Sequence, residues 1–301
     1  MRIGILTRLP SYYTERRLQE EAEGRGHSVV MLRSSLCHVE IDSEDPKIIY
    51  QGQTMEPIDA VIPRIAHSNL SYSSAILRQF EAMGTYTPAK SVAIGRSHDI
   101  LRTLQLLSKG GVGVPKTIIT HVVPDQLDSL LERVGLPVVI KAATARNNNA
   151  VLVESQKAAN SVLKAFYMSD ADLLLQEYVG KGEDVQDVRA IVVGSMVVAS
   201  VKRSGSAQAF FSKPGKMEYE LVAKLTEAQS RVAVKAAKAM GLSICAVDMI
   251  VTSTKQYVLR VDASPGLENI ELLTKRNVAA KIIEYIEKNA KQRNRKDKVG
   301  A

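Results

Sequence analysis

Apolar residues in this chain fall into short runs divided by longer polar stretches, and the two alternate from the start. A run at residues 3–7 predicts a strand, and the polar stretch 15–23, closed by Gly24 and Gly26, predicts a helix with a glycine C-terminus. Residues 28–32 and 58–62 predict two more strands, the second closed by Pro63. Residues 70–83 place Leu70, Ile76, Leu77, Phe80 and Met83 at helical spacing before Gly84. The apolar run 91–94 predicts another strand. This β–α alternation implies an α/β layer with a largely parallel sheet. The turn after the first strand reads Arg8-Leu9-Pro10-Ser11 and lacks the glycines of a dinucleotide-binding loop, so that site is excluded.

A second unit begins near Ser97, the expected N-cap of a helix through Leu107 that stops at Gly110-Gly111. Strand 116–120, helix 126–134, strand 138–141, loop 142–149, strand 151–154, helix 156–166 and strand 173–179 follow. The last third is richer in strands. Residues 187–193 and 196–202 flank Gly194-Ser195 as a hairpin, and Thr226 caps an Ala-rich helix over 227–240 that ends at Gly241. Residues 246–252 and 256–262 form a second hairpin, and an amphipathic helix over 278–288 leads into a basic tail. The expected divisions are 1–96, 97–180, 181–288 and a tail over 289–301.

Composition adds little beyond class. The 301 residues are 45% hydrophobic and 24% charged, ordinary values for a globular protein. No apolar run is long enough to span a membrane, the first residues are too short a run for a signal peptide, and the two cysteines, Cys37 and Cys245, read as packed thiols. A cytoplasmic protein is expected. Net charge is +8, and residues 288–298 carry six basic side chains against Asp297 alone. That run is either a solvated tail or an electrostatic handle for RNA or a ribosome-associated partner.

Three features could carry chemistry. Lys141 ends the apolar strand Val138-Val139-Ile140, where it is either a surface lysine or a point charge for phosphate. Glu177 and Tyr178 follow an apolar strand and could face an adenine and ribose, or simply end that strand. Asp248 and Asp262 lie on neighbouring strands of a hairpin turning at 253–255, with Arg260 roughly opposite Asp248 and on the face of Asp262. Paired acids suit Mg²⁺; a salt-bridge cluster is the other reading.

The order of these motifs resembles a known family. A strand lysine, then Gln176-Glu177-Tyr178, Asp187-Val188-Arg189, Ala246-Val247-Asp248 and Val261-Asp262-Ala263-Ser264-Pro265-Gly266-Leu267, is similar to the ATP-grasp ligases. Asp59-Ala60-Val61-Ile62-Pro63-Arg64-Ile65, Leu77-Arg78-Gln79-Phe80-Glu81 and Ser91-Val92-Ala93-Ile94 look like the RimK-type α-L-glutamate ligases, over almost the whole chain. The resemblance implies an ATP-grasp fold: an N-terminal pre-ATP-grasp α/β domain plus two α+β lobes gripping a nucleotide cleft. It also implies ATP-dependent carboxylate–amine ligation, adding glutamate to the C-terminus of a small-subunit ribosomal protein, with ATP and Mg²⁺ or Mn²⁺ as cofactors. By residue, it places Lys141 on phosphate, Glu177 and Tyr178 around adenine, Asp187 on ribose, Arg189 beside the reaction, and Asp248 and Asp262 on the metal. Family members are often oligomeric, so a homo-oligomer is among the expectations.

Several positions depart from the family's pattern. Asp99 is followed by Ile100 instead of a lysine, and the loop 142–149 contains no glycine. Phe211 and Lys213 stand where an arginine and an asparagine are expected, with Arg146, Lys213 and Lys216 as substitute cations. Arg260 replaces a metal-binding glutamate, and Asp262 replaces an asparagine. A +1 and a +2 charge ~4 Å apart at an effective dielectric of ~20 repel by roughly 8 kcal/mol. Arg260 is therefore expected to pair with Asp248 and Asp262 as an internal cation at the metal position. The preferred expectation is a catalytically impaired homologue acting by binding; the alternative is an active glutamate ligase with a rearranged site.

Overall fold

The structure is a computed structural model, and it describes residues 1–121, 127–142, 150–167, 172–180, 185–204, 218–221 and 225–297. The N-terminal third runs β1 (Arg2–Thr7), α1 (Tyr13–Gly24), β2 (Ser28–Arg33), β3 (Cys37–Glu40), β4 (Lys47–Tyr50), β5 (Gln53–Thr54), β6 (Ala60–Arg64), α2 (Leu70–Ala82) and α3 (Ser91–His98). The central part comprises α4 (Ile100–Lys109), β7 (Thr117–His121), α5 (Leu127–Val134), β8 (Val138–Ala142), β9 (Ala150–Val153), α6 (Gln156–Tyr167) and β10 (Asp172–Glu177). The last part comprises β11 (Gln186–Val193), β12 (Met196–Ser204), β13 (Glu218–Leu221), α7 (Glu227–Met240), β14 (Ile244–Val251), β15 (Gln256–Asp262), α8 (Glu268–Thr274) and α9 (Val278–Asp297).

The expected parallel layer is β2-β1-β6, with β1 central and five of its six residues buried. A central parallel strand is covered on both faces, which is why residues 3–6 read as continuously apolar. The central part is an antiparallel sheet, β7-β10-β8-β9, with its own core around Leu131, Ile140, Leu163 and Leu175. The last part is an antiparallel sheet, β13-β12-β11-β14-β15.

That five-stranded sheet has a core on each face. Val188, Ala190 and Val192 of β11 pack with α7 and with Leu6 and Phe80 of the N-terminal third. Ile191 and Val193 face the other way, toward Ile282 and Ile286 of α9 and Ile3 and Ile5 of β1. The period of two therefore assigns every β11 residue to one face, and Asp187 and Arg189 share the face of Ile191.

The structure corrects several boundaries. Residues 91–94 open a helix, α3, where a strand was expected. Glu81 of α2 accepts hydrogen bonds from the Ser91 amide at 2.7 Å and the Ser91 hydroxyl at 3.2 Å, so a tertiary partner satisfies donors at the helix start. The next helix is capped by Asp99, which accepts from the Arg102 amide at 2.9 Å, while Ser97 lies inside α3 and donates to the Ile94 carbonyl. Pro63 sits within β6 opposite Leu6, tolerated because β6 is an edge strand. Helix α9 continues through Asp297, so much of the basic run is helical. The small sheet β3-β4-β5 and helix α8 had no expectation. Thr226 caps α7 and Gly241 ends it, as expected; the cap is a capping box with Gln229, and Gly241 is left-handed.

Candidate functional site

One end of the second face of the five-stranded sheet is charged. Register sets Arg189 opposite Asp248, Asp187 opposite Arg203, and Arg260 opposite Asp248. Directly opposed residues share a face, so side chains that would be solvated on an edge converge here beside a core. Arg189 donates from Nε to Asp248 Oδ1 at 2.9 Å and from Nη2 to Asp262 Oδ2 at 3.1 Å. Arg203 donates from Nε to Asp187 at 3.0 Å, and its Nη1 lies 3.3 Å from Asp248 Oδ2.

These groups are desolvated: Asp187 is 2% exposed, Asp248 5% and Arg203 9%. Burial pushes the Asp187 carboxyl up to about 6, against the pull of Arg203. Its Oδ2 is buried without a hydrogen-bond partner among the described residues. Burial would also raise Asp248 and Asp262, but neighbouring guanidinium groups, Arg189 first, outweigh it and hold both below the usual carboxylate range.

The pairing expected of Arg260 is made by Arg189 and Arg203. Arg260 lies on β15, the edge of the sheet, and its side chain is exposed; it acts on Asp248 and Asp262 only as a nearby charge. Arg189 and Arg203 come from β11 and β12, inside the sheet, where leaving the acids unpaired would be far costlier. Arg203 was missed by sequence reasoning, although extending the 187–202 hairpin by one residue sets it opposite Asp187.

A divalent cation does not fit this arrangement. Three carboxylates (Asp187, Asp248, Asp262) face three guanidiniums (Arg189, Arg203, Arg260), so no negative charge is in excess. Among the described residues no group of three or more acidic, His or Cys side chains is placed to hold a metal.

The other expected site residues lie on the four-stranded sheet. Lys141 ends β8, with Ile140 facing the lobe's core and Lys141 on the opposite face. Its Nζ donates to Gln176 Oε1 at 2.9 Å, and burial lowers its pKa to about 8. Glu177 accepts from the Lys116 amide at 3.3 Å, and the Tyr178 amide donates to the Pro137 carbonyl at 3.3 Å. Burial raises the Tyr178 phenol. Lys141 and Glu177 thus lie on opposite faces of the four-stranded sheet, with Tyr178 just past the end of β10, while Asp187, Arg189, Asp248 and Asp262 lie on the five-stranded sheet. Ile100 is the first residue of α4. The candidate cations Arg146, Lys213 and Lys216, and Phe211, lie outside the described residues.

Arg189 also reaches a cleft of about 290 Å³ that sequence reasoning did not find. Its walls include Tyr13 and Glu15 from α1, Arg64 from β6, and Glu268 and Asn269 from α8. No sequence signal marks Glu15, and Arg64 is marked only by the 59–65 motif that carries the family resemblance.

Comparison with known proteins decides the family. Residues 1–94 match the RimK PreATP-grasp domain and residues 97–286 the RimK-like ATP-grasp domain. The chain belongs to the RimK-like ATP-grasp family. It is 44% identical over 292 residues to a probable alpha-L-glutamate ligase of Picosynechococcus sp., covering 96% of each chain. It is 42% identical over 298 residues to a probable alpha-L-glutamate ligase of Saccharophagus degradans, covering 98% of each. The fold resembles that of the ATP-grasp ligase PsnB complexed with minimal precursor, Mg and ADP. The TM-score is 0.74 at 18% identity, covering 96% of this chain and 98% of that one. The ATP-grasp fold expected from the motifs is therefore the fold of this RimK-like chain. No described helix is long and apolar enough to cross a membrane.

Proposed function

We propose that this RimK-like chain keeps the ligand-binding scaffold of a carboxylate–amine ligase and has lost most of the ligation chemistry. The observation that carries this reading is the engagement of Asp248 and Asp262 by Arg189, with Arg203 beside Asp248. Phosphoryl transfer depends on cations that neutralise charge developing on the phosphates. Here the acids are already neutralised by fixed guanidiniums, and removing one partner of a buried ion pair costs about 3–5 kcal/mol. Ile100 removes a further cation from the family's pattern.

In this reading the protein acts by binding. Lys141, Glu177, Tyr178 and Asp187 form the nucleotide side, and Arg189 faces the ligand cleft. The partner is a peptide or protein with a free carboxylate; a ribosomal protein is the family's expectation, with RNA contact through residues 288–298 and self-association as further elements. PsnB, similar in fold, is a protein solved with the precursor peptide PsnA2.

The test is turnover. Purified protein is mixed with ATP, Mg²⁺, glutamate and acceptor peptides, and ADP release and acceptor mass are read. The expected result is no ADP above background and no mass gain. ADP formation that disappears in Asp248→Ala would replace this reading with that of an active glutamate ligase.

A further inference from the structure

We infer that the imidazoles of His67 and His98 form a two-histidine site for a borderline divalent transition metal, with Zn²⁺ as its ion. The site lies where the turn His67–Asn69, between β6 and α2, meets the last residue of α3. It goes beyond the binding role proposed above, because it needs neither a nucleotide nor the acids of the five-stranded sheet.

The two rings come from separate elements and stand at chelating distance. Their centroids are 5.5 Å apart and their planes cross at 51°. A zinc-bound imidazole nitrogen sits about 2.0–2.1 Å from the metal, so two imidazoles on one tetrahedral ion hold their centroids about 5 Å apart. The backbone beneath each ring is fixed. Arg8 Nη1 donates to Ser68 Oγ at 3.2 Å and Asn69 Nδ2 donates to Ser34 Oγ at 3.1 Å, which pins the turn. Thr103 Oγ1 donates to the Arg96 carbonyl at 2.9 Å and Ser97 Oγ to the Ile94 carbonyl at 2.8 Å, which pins the end of α3.

His98 is also oriented as a ligand. It hydrogen-bonds to the Ile65 backbone. The Ile65 amide already donates to Ser264 Oγ at 3.2 Å, so the partner is the carbonyl and the ring donates. Metal-binding histidines are held by a bond of this kind from one nitrogen, which leaves the lone pair on the other. Burial, ahead of every other influence, holds the His98 imidazole below its ordinary value, and the neutral ring is the form a metal binds. The charge of Asp262 acts on His98 more strongly than that of Arg260, so β15 favours a cation here. His67 is exposed and gives the ion a path from solvent.

Ligand chemistry selects the metal. Imidazole suits Zn²⁺, Ni²⁺ and Cu²⁺, whereas Mg²⁺ takes oxygen ligands. Two protein ligands are fewer than a structural zinc site carries, so waters complete the shell and the ion exchanges. A bound ion clips the turn after β6 to the end of α3, and the folded chain gains stability by mass action.

Zinc calorimetry on the full chain, freed of any histidine tag, tests this without ATP. We expect saturable binding of one Zn²⁺ per chain that millimolar Mg²⁺ does not displace, with a rise in melting temperature. His67→Ala, at an exposed position, weakens binding about tenfold or more, and so does His98→Asn. Circular dichroism checks folding, and His67→Ala carries the test alone should His98→Asn fold poorly. Paramagnetic resonance of bound Cu²⁺ shows two nitrogen ligands in the parent chain and one fewer in His67→Ala. No saturable Zn²⁺ binding up to millimolar concentration overturns the inference. So does affinity unchanged in folded His67→Ala, or displacement by Mg²⁺, which would put the ion on the acids. Turnover with ATP can succeed or fail without altering any of these results.

Discussion

The Arg189 guanidinium bridges Asp248 on β14 and Asp262 at the end of β15, at 2.9 and 3.1 Å. One residue of β11 thus holds together two acids of the neighbouring hairpin and also lines the cleft. Replacing it with an uncharged side chain of similar length leaves those acids with one fewer partner. Arg189→Met is expected to lose about 3–5 kcal/mol of stability at neutral pH. Urea unfolding measures this; a loss under 1 kcal/mol would show that the bridge is not what keeps the acids charged.

Arg260 is a nearby positive charge rather than a partner of the acids. Arg260→Glu changes the local charge by two units and supplies an oxygen ligand at the family's position. Mn²⁺ affinity is expected to rise about tenfold or more, read by the loss of the free-ion paramagnetic resonance signal. An unchanged titration would mean that Arg189 and Arg203 alone exclude the metal.

Asp187 gives the stability curve a characteristic slope. Its carboxyl is raised to about 6 by burial, above the unfolded value, with Arg203, Asp248 and Arg189 facing it. Between about pH 4 and pH 6 the folded protein keeps a proton that the unfolded chain has released, so stability declines as pH rises through that window. The decline attributable to this group is about 2–3 kcal/mol. Asp187→Asn should remove that slope in urea melts at successive pH values; a difference between the proteins that does not vary with pH contradicts the assignment.

Glu287 acts in the opposite sense. Its hydrogen bonds from Arg25, at 2.8 Å from Nη2, and from His27 lower its pKa to about 2 and tie α9 to the end of α1. A depressed carboxylate contributes stability above its unfolded pKa and loses it as pH falls toward the folded one. The contact is partly solvated, so Glu287→Gln is expected to cost only about 1 kcal/mol at pH 7. That cost should shrink steadily from pH 5 to pH 3, and thermal melts across the range check it.

Legibility in the sequence followed the range of the interaction. The β14–β15 turn at 253–255, and with it the placing of Arg260 opposite Asp248, followed from period-two alternation around a local hairpin. Thr226 and Gly241 marked the ends of α7 through contacts within one turn. The segment 91–94 could not be read that way, because a four-residue apolar run fits strand or helix equally and the Glu81 carboxylate that decides it comes from another helix. Arg260 failed as a partner for a related reason: sequence gave its register but not its place on a sheet edge.

The amino-acid sequence determined most of the elements, the order of motifs and the family, because local patterning and fixed spacing carry that information along the chain. Only the tertiary structure decided which cation meets which acid and where a ligand cleft opens. Asp248 is 59 residues from Arg189, and Glu15 is 49 residues from Arg64. Such pairs depend on strand order and domain contact, and burial makes them strong by removing the water that would otherwise screen each charge.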